Sequence, residues 1–239
     1  MEVCSPPGRC HHWLIAAALV TGVAVAVPAA MPSRPLSAEA GSVEGRVQVV
    51  SASTRRLASA GAYPSRVVGI AGDSRTSELA NVVVFVDAKP FTPAPSRASI
   101  RQEGEEFLPH LVAITIGSTV EFPNEDVVFH NVFSLSRAGT FDLGRYPKGR
   151  SKTRVFDKSG LIKVFCHLHS QMSAMIRVFD HPYFSIPGPD GRFSIPDVPP
   201  GEYNVVAWHE RVGEVTHHTV VVGGRASTLA FSLPFTDNP

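Results

Sequence analysis

Residues 164–172 read VFCHLHSQM, and the earlier stretch 128–134 reads VFHNVFS. The later stretch contains the pattern Cys-x-x-His-x-x-Met, while the earlier one contains a histidine that is directly followed by asparagine. Two imidazoles, one thiolate and one weakly bound thioether are the ligand set of blue-copper electron-transfer sites. The two stretches therefore predict a copper site with four protein ligands: His130, Cys166, His169 and Met172.

The donor types explain why copper is favoured. Thiolate and thioether sulfur are soft and suit Cu(I), whereas imidazole also suits Cu(II), so a mixed site can change oxidation state without large rearrangement. Zinc is the main competing metal, because it also binds cysteine and histidine. Met175 is an alternative to Met172 as the fourth ligand, and filling the core is the alternative role for Met172. Strand alternation turns His167 away from Cys166, which predicts a surface position, with ligation as the alternative.

The N-terminal segment has the features of a secretory signal peptide, which we place at residues 1–30. Arg9 precedes residues 13–27, a run of 15 residues without charge, and small residues follow it. The run is short for a bilayer-spanning helix, so cleavage is expected and a permanent anchor is the alternative. We therefore expect a periplasmic or secreted protein that has no membrane partner after cleavage. The cleavage position stays open between residues 27–29 and 38–40.

Cleavage of the signal peptide would change the number of cysteines in the mature protein. The chain has three, and two of them precede the apolar run, so cleavage would leave Cys166 without an intramolecular disulfide partner. A lone thiol in an oxidising compartment calls for an explanation. Pairing with another chain and inert burial are alternatives, and metal binding is the explanation that the neighbouring histidines favour.

The composition points away from several classes of function. The 239 residues are 18% charged with a formal net charge of +1, whereas proteins that bind nucleic acid or anionic membranes favour strongly basic faces. No nucleic-acid partner is therefore expected. The sequence also contains no nucleophile–base pattern, phosphate-binding loop or paired carboxylates. We accordingly expect no enzyme activity and no catalytic residue.

Short apolar stretches separated by turn residues predict an all-β protein. Glycine and proline, 19 and 20 residues respectively, separate these stretches, and no long amphipathic helix is visible. Repeated short strands at this spacing favour a sandwich or barrel. In the part of the chain that contains the candidate ligands, strands are predicted near residues 98–103, 110–116, 119–123, 129–134, 152–156, 161–166 and 174–180.

Residues 96–180 resemble the cupredoxins, above all the short-loop, plastocyanin-like members such as the amicyanins. The resemblance is carried by Phe107-x-Pro109, Gly117-x-x-Val120-x-Phe122-x-Asn124, His130-Asn131-Val132 and the stretch from Gly160 to Met172. It implies a Greek-key β-sandwich in which the four candidate residues hold one type 1 copper ion. It also implies that Asn131 hydrogen-bonds around the cysteine and orients the ligand loop.

A second resemblance concerns residues 191–203, where GRFSIPDVPPGEY is similar to carboxypeptidase regulatory-like and transthyretin-like β-sandwich domains. Such domains usually begin with strands like those predicted at 43–50 and 80–88. This implies one discontinuous host domain into which the cupredoxin domain is inserted. The expected order is a flexible lead-in (31–42), N-terminal host strands (43–95), the cupredoxin domain (96–180) and the remaining host strands (181–235).

The whole arrangement is similar to bacterial proteins described as methylamine-utilisation or plastocyanin-like proteins. The ligand set and the cupredoxin resemblance together predict an exported copper protein that carries single electrons, with a redox protein partner that the sequence does not identify. A copper carrier or storage protein without redox turnover is one alternative. A structural or adhesion module with a metal-free cupredoxin fold is another, although the complete ligand set argues against it.

Overall fold

A computed structural model describes residues 39–51, 78–91 and 93–235 of the chain. The predicted signal peptide lies outside these residues. Strands make up most of the described part, which confirms the predicted all-β class. None of its helices has the length and apolar character needed to cross a bilayer. The strands are β1 (Gly41–Ser51), β2 (Val82–Val86), β3 (Arg97–Ser99), β4 (Arg101–Glu103), β5 (Glu106–Leu108), β6 (Leu111–Thr115), β7 (Ser118–Pro123), β8 (His130–Ser136), β9 (Gly139–Tyr146), β10 (Ser151–Phe156), β11 (Gly160–Phe165), β12 (Ser173–Phe179), β13 (Phe184–Ser185), β14 (Arg192–Val198), β15 (Gly201–His209), β16 (Gly213–Val221) and β17 (Ala226–Phe235).

Two sheets enclose the core nearest the candidate ligands. One has the strand order β6-β12-β11-β8-β9 and the other the order β10-β7-β3. Side chains alternate between buried and accessible along β7 and β11, so each strand gives one face to the shared core. Phe122 and Val164 belong to this core, as do Cys166 and Met172. The candidate ligand loop is therefore continuous with the packing of this sandwich.

Strands from both ends of the described chain form two further sheets. Strand β1 lies between β14, its antiparallel partner, and β17, its parallel partner. Strand β2 lies between β13 and β15 in a sheet with the order β13-β2-β15-β16. Valine side chains of β1 and β2 fill a common core with Ile195 and Phe231. Strands that precede and follow residues 96–180 therefore share both sheets, and the assignment of a regulatory-like domain stays a prediction.

Strand β2 is buried on both of its faces, as its run of five apolar residues leads one to expect. Val82 and Val84 point into the core shared with β1. Val83 and Phe85 point the other way, into a third cluster that also contains Leu111 and Met175 from the sheet beside the candidate site. This third cluster joins the two pairs of sheets through apolar packing.

Candidate metal centre

Strand pairing brings the two predicted ligand segments together. His130 is the first residue of β8, and Cys166 follows the last residue of β11. These strands are antiparallel neighbours, with Phe165 opposite Phe133. The chain then turns tightly, and the Met172 amide donates a hydrogen bond to the His169 carbonyl at 3.1 Å. This turn points a second histidine back towards the first.

Three donor atoms converge at this place. The Cys166 Sγ atom lies 3.9 Å from the Nδ1 atom of His130 and 3.9 Å from the Nδ1 atom of His169. The two Nδ1 atoms are 3.0 Å apart. With bond lengths typical of zinc, one ion spans nitrogen and sulfur atoms up to roughly 4.3 Å apart and two nitrogens up to roughly 4.0 Å apart. All three separations fall within these limits, so the residues fit a single metal ion.

The donors lie mostly inside the protein. His130 is 0% exposed, Cys166 is 5% exposed and Met172 is 1% exposed, whereas His169 is half-buried. Met172 packs in the same core cluster as Cys166. Met175 lies on the other face of β12, in the cluster that joins the two pairs of sheets. Both methionines are buried, but only Met172 shares a core cluster with Cys166, so Met172 remains the candidate fourth donor.

Asp126 contacts the site and was not predicted from the sequence. Its Oδ2 atom lies 2.8 Å from the Nε2 atom of His130. If Nε2 donates to this carboxylate, the Nδ1 atom of His130 keeps a free lone pair for a metal. Backbone amides of Gly104 and Glu105 also donate to Asp126, at 2.7 and 2.9 Å. The carboxylate is thus held in place at the Nε2 edge of the imidazole, opposite the Nδ1 atom.

The same contacts set the charge state of this carboxyl group. Burial raises the pKa of Asp126, but hydrogen bonds from the Glu105 amide, from His130 and from the Gly104 amide outweigh it, so its pKa lies below the usual value. The signal in the sequence was weak, because Asp126 only follows the turn residues Asn124 and Glu125. Its contact with His130 depends on how that turn folds back.

We expect Asp126→Ala to weaken copper binding by about 10- to 100-fold, because the imidazole of His130 loses the group that fixes its tautomer and orientation. Titration against a competing chelator measures this affinity. Glu125→Ala is the matched control, since it removes the neighbouring charge from an exposed side chain that does not contact His130. Equal affinities of the two variants would contradict the role of Asp126.

Asn131 links the two ligand segments. Its Oδ1 atom accepts a hydrogen bond from the backbone amide of His167 at 3.1 Å, directly after Cys166. Its Nδ2 atom donates to the Asp142 Oδ1 atom at 2.7 Å. The His167 side chain is exposed and stacks on Phe133, with ring centroids 3.7 Å apart and an interplanar angle of 12°. The structure thus places Asn131 beside the cysteine and His167 on the surface.

Comparison with known proteins gives partial likenesses to solved structures. No family model matches the sequence, and no curated protein matches it. A copper-containing nitrite reductase from Thermus scotoductus is 30% identical over 39% of this chain and 24% of that chain, with a TM-score of 0.33. A purple cupredoxin from Nitrosopumilus maritimus is 24% identical over 34% of this chain and 99% of that chain (TM-score 0.31). Amicyanin from Paracoccus versutus is 25% identical over 40% of this chain and 97% of that chain (TM-score 0.33). The chain thus spans about a quarter of the nitrite reductase and nearly all of the two smaller proteins.

Proposed function

We propose that the protein is an exported copper protein of the cupredoxin type that carries single electrons. The observation that carries this proposal is the convergence of three donor atoms, from His130, Cys166 and His169, within 4.8 Å of one another. The order and spacing of these residues also match the motif that resembles the cupredoxins. Neither observation depends on the partial likenesses to solved structures.

The donor set supports copper over other metals. Two imidazoles and one thiolate, with a thioether as a weak fourth donor, favour a copper ion that changes oxidation state by one electron. The residues themselves supply a preformed frame, because His130 belongs to a strand and is held by Asp126. Cys166 is held through the amide of His167 by Asn131. Such a frame limits rearrangement when the charge of the site changes.

Burial supports electron transfer over substrate chemistry. Catalytic metal sites keep an open coordination position for water or substrate. Here His130, Cys166 and Met172 are buried, and two histidines, one cysteine and one methionine would complete the coordination of the ion. Only His169 is partly accessible among these four. We therefore propose that electrons pass through the His169 edge and that the site is not catalytic.

The surface beside His169 is suited to a redox protein partner. Leu168, next to it in the chain, is exposed, as are Val127 and Phe129 in the loop that precedes His130. Val127 lines a surface depression together with Gln171 of the ligand loop. Exposed apolar side chains beside such a depression are typical of protein contact sites. We propose a protein partner at this surface. Location in the periplasm or outside the cell rests on the signal-like sequence of residues 1–30.

We also propose that residues 96–180 are a cupredoxin domain inserted into a host domain made of residues 43–95 and 181–235. The pairing of β1 with β14 and β17, and of β2 with β15, supports this division. The inserted part has its own core, which contains Phe122, Val164 and Cys166. The cupredoxin domain is thus proposed to be packed against the host through the third cluster.

Redox cycling of the copper-loaded protein tests the proposed function. An intense visible band should bleach with a mild reductant and return with an oxidant over many cycles, with one copper retained per chain. Met172→Leu should keep the copper while shifting the reduction potential, because the axial bond is weak. Loss of copper on each reduction would replace electron transfer with a carrier role. Absence of any band, with tight zinc binding, would refute the copper assignment.

A further inference from the structure

A bulge in β9 places one carboxylate beside the ligand loop. Strands β8 and β9 pair with Asn131 opposite Arg145 and Phe133 opposite Asp142, so β9 contains one extra residue between these two pairs. Gly144 lies in this extra segment with a φ of 67°, a value that favours glycine. Bulges re-aim side chains near functional sites. Here the bulge brings the Asp142 carboxylate to the amide of Asn131.

The carboxylate determines which way the Asn131 amide faces. Asp142 Oδ1 accepts hydrogen bonds from Asn131 Nδ2 at 2.7 Å and from the Gly144 amide at 2.8 Å. An ionised carboxylate can only accept, so the donor end of the Asn131 amide must point towards it. The carbonyl end then points towards the amide of His167, which needs an acceptor. The flipped amide would set oxygen against carboxylate and donor against donor.

The other oxygen of the same carboxylate faces the side chain of His167. Asp142 Oδ2 lies 4.0 Å from the Nε2 atom of His167. The imidazole is also stacked on the Phe133 ring. Both the backbone and the side chain of the residue that follows Cys166 are therefore oriented by groups on β8 and β9. A shift of the backbone at Cys166 would therefore disturb the contacts of His167.

We infer that Asp142 is a positioning residue for the metal centre: it fixes the amide of Asn131, and through Asn131 it fixes the backbone that follows Cys166. Its effect on a bound copper rests on the proposed function, whereas its effect on the backbone does not. Asp142 acts at a distance from the donors, since its contacts are with Asn131, Gly144 and His167.

A comparison of Asp142→Asn with Asp142→Ala separates the effect of the lost hydrogen bonds from the effect of the lost charge. Both remove one negative charge, but asparagine keeps an oxygen that can accept from Asn131 and Gly144, whereas alanine keeps none. The side chain is 58% exposed, so neither change leaves a cavity in the core. In copper-loaded protein, the visible band and the electron paramagnetic resonance spectrum of the asparagine variant should match those of the wild type. The alanine variant should show a shifted spectrum. At one fixed solution redox potential, its Cu(II)/Cu(I) ratio should differ about tenfold from that of the asparagine variant.

A measurement on the metal-free protein tests the positioning role of Asp142 without depending on copper. Amide hydrogen exchange of His167, followed by NMR, should be about tenfold faster in Asp142→Ala than in the wild type, and nearly unchanged in Asp142→Asn. If the wild type has no copper band but the exchange rates differ as expected, the proposed function fails and the positioning role stands. If alanine and asparagine at position 142 give the same exchange rate of His167, the inference is overturned.

Discussion

Replacing Cys166 with serine is expected to abolish the intense visible band of the copper-loaded protein. The band requires a bond between Cu(II) and thiolate sulfur, and a serine hydroxyl is a hard, poorly ionised replacement. The Sγ atom of Cys166 lies 3.9 Å from the Nδ1 atoms of His130 and His169, so Cys166 is the residue that would supply the thiolate. The expected change is complete loss of the band, measured by visible absorption after copper loading.

Met175→Leu is the matched control for this experiment. It also removes a buried sulfur atom from a neighbouring segment, but Met175 lies in the cluster between the two pairs of sheets. The control should keep the full band. Circular dichroism of both variants checks that the strands are retained. A band of normal intensity in folded Cys166→Ser protein would show that the thiolate assignment is wrong.

Val47→Asp is expected to lower the free energy of unfolding of the protein by about 3–5 kcal/mol, because it leaves an unpaired charge inside the core that β1 helps to form. Val47 is buried in the middle of β1, and its strand pairs on both sides, with β14 and with β17. Damage at this position therefore affects both neighbouring strands. Denaturant unfolding, followed by circular dichroism, measures the loss.

Gln48→Asp provides the comparison, since it places the same carboxylate one residue further along β1 on the exposed face. It should change the free energy of unfolding by no more than about 0.5 kcal/mol. The two variants differ in which face of the strand carries the charge. Equal destabilisation by both would contradict the orientation of β1 and its central place in the sheet.

Three of the four candidate ligands could be proposed from the sequence because they lie on one short loop, where spacing alone restricts their positions. His130 is distant in sequence and was proposed because the ligand set needs a second histidine, and the pairing of β8 with β11 places it beside that loop. Asp126 and Asp142 could not be predicted as neighbours of the site. The first depends on how a turn folds back, and the second on a bulge that changes the register of β9.

The accuracy of the strand predictions depended on how regularly apolar and polar residues alternate. Stretches with regular alternation, such as β7 and β11, were located from the sequence within a residue or two. Strand β9 was missed, because Gly144 and its bulge interrupt the alternation in GTFDLGRY. Strand β5 was missed because it has three residues and directly follows a turn. The predicted strand at 98–103 is divided into β3 and β4, with the buried Ile100 between them.

The parallel pairing of β1 with β17 has a mechanical consequence. Ten consecutive residue pairs join the two strands, from Ser42 opposite Ala226 to Ser51 opposite Phe235. Because the strands run in the same direction, the start of β1 and the end of β17 lie at opposite ends of the ladder. A stretching force applied between these two points would load the cross-strand hydrogen bonds in shear, so that they must lengthen together rather than open one after another. The three-stranded sheet with the order β14-β1-β17 is thus arranged to resist pulling along its strands.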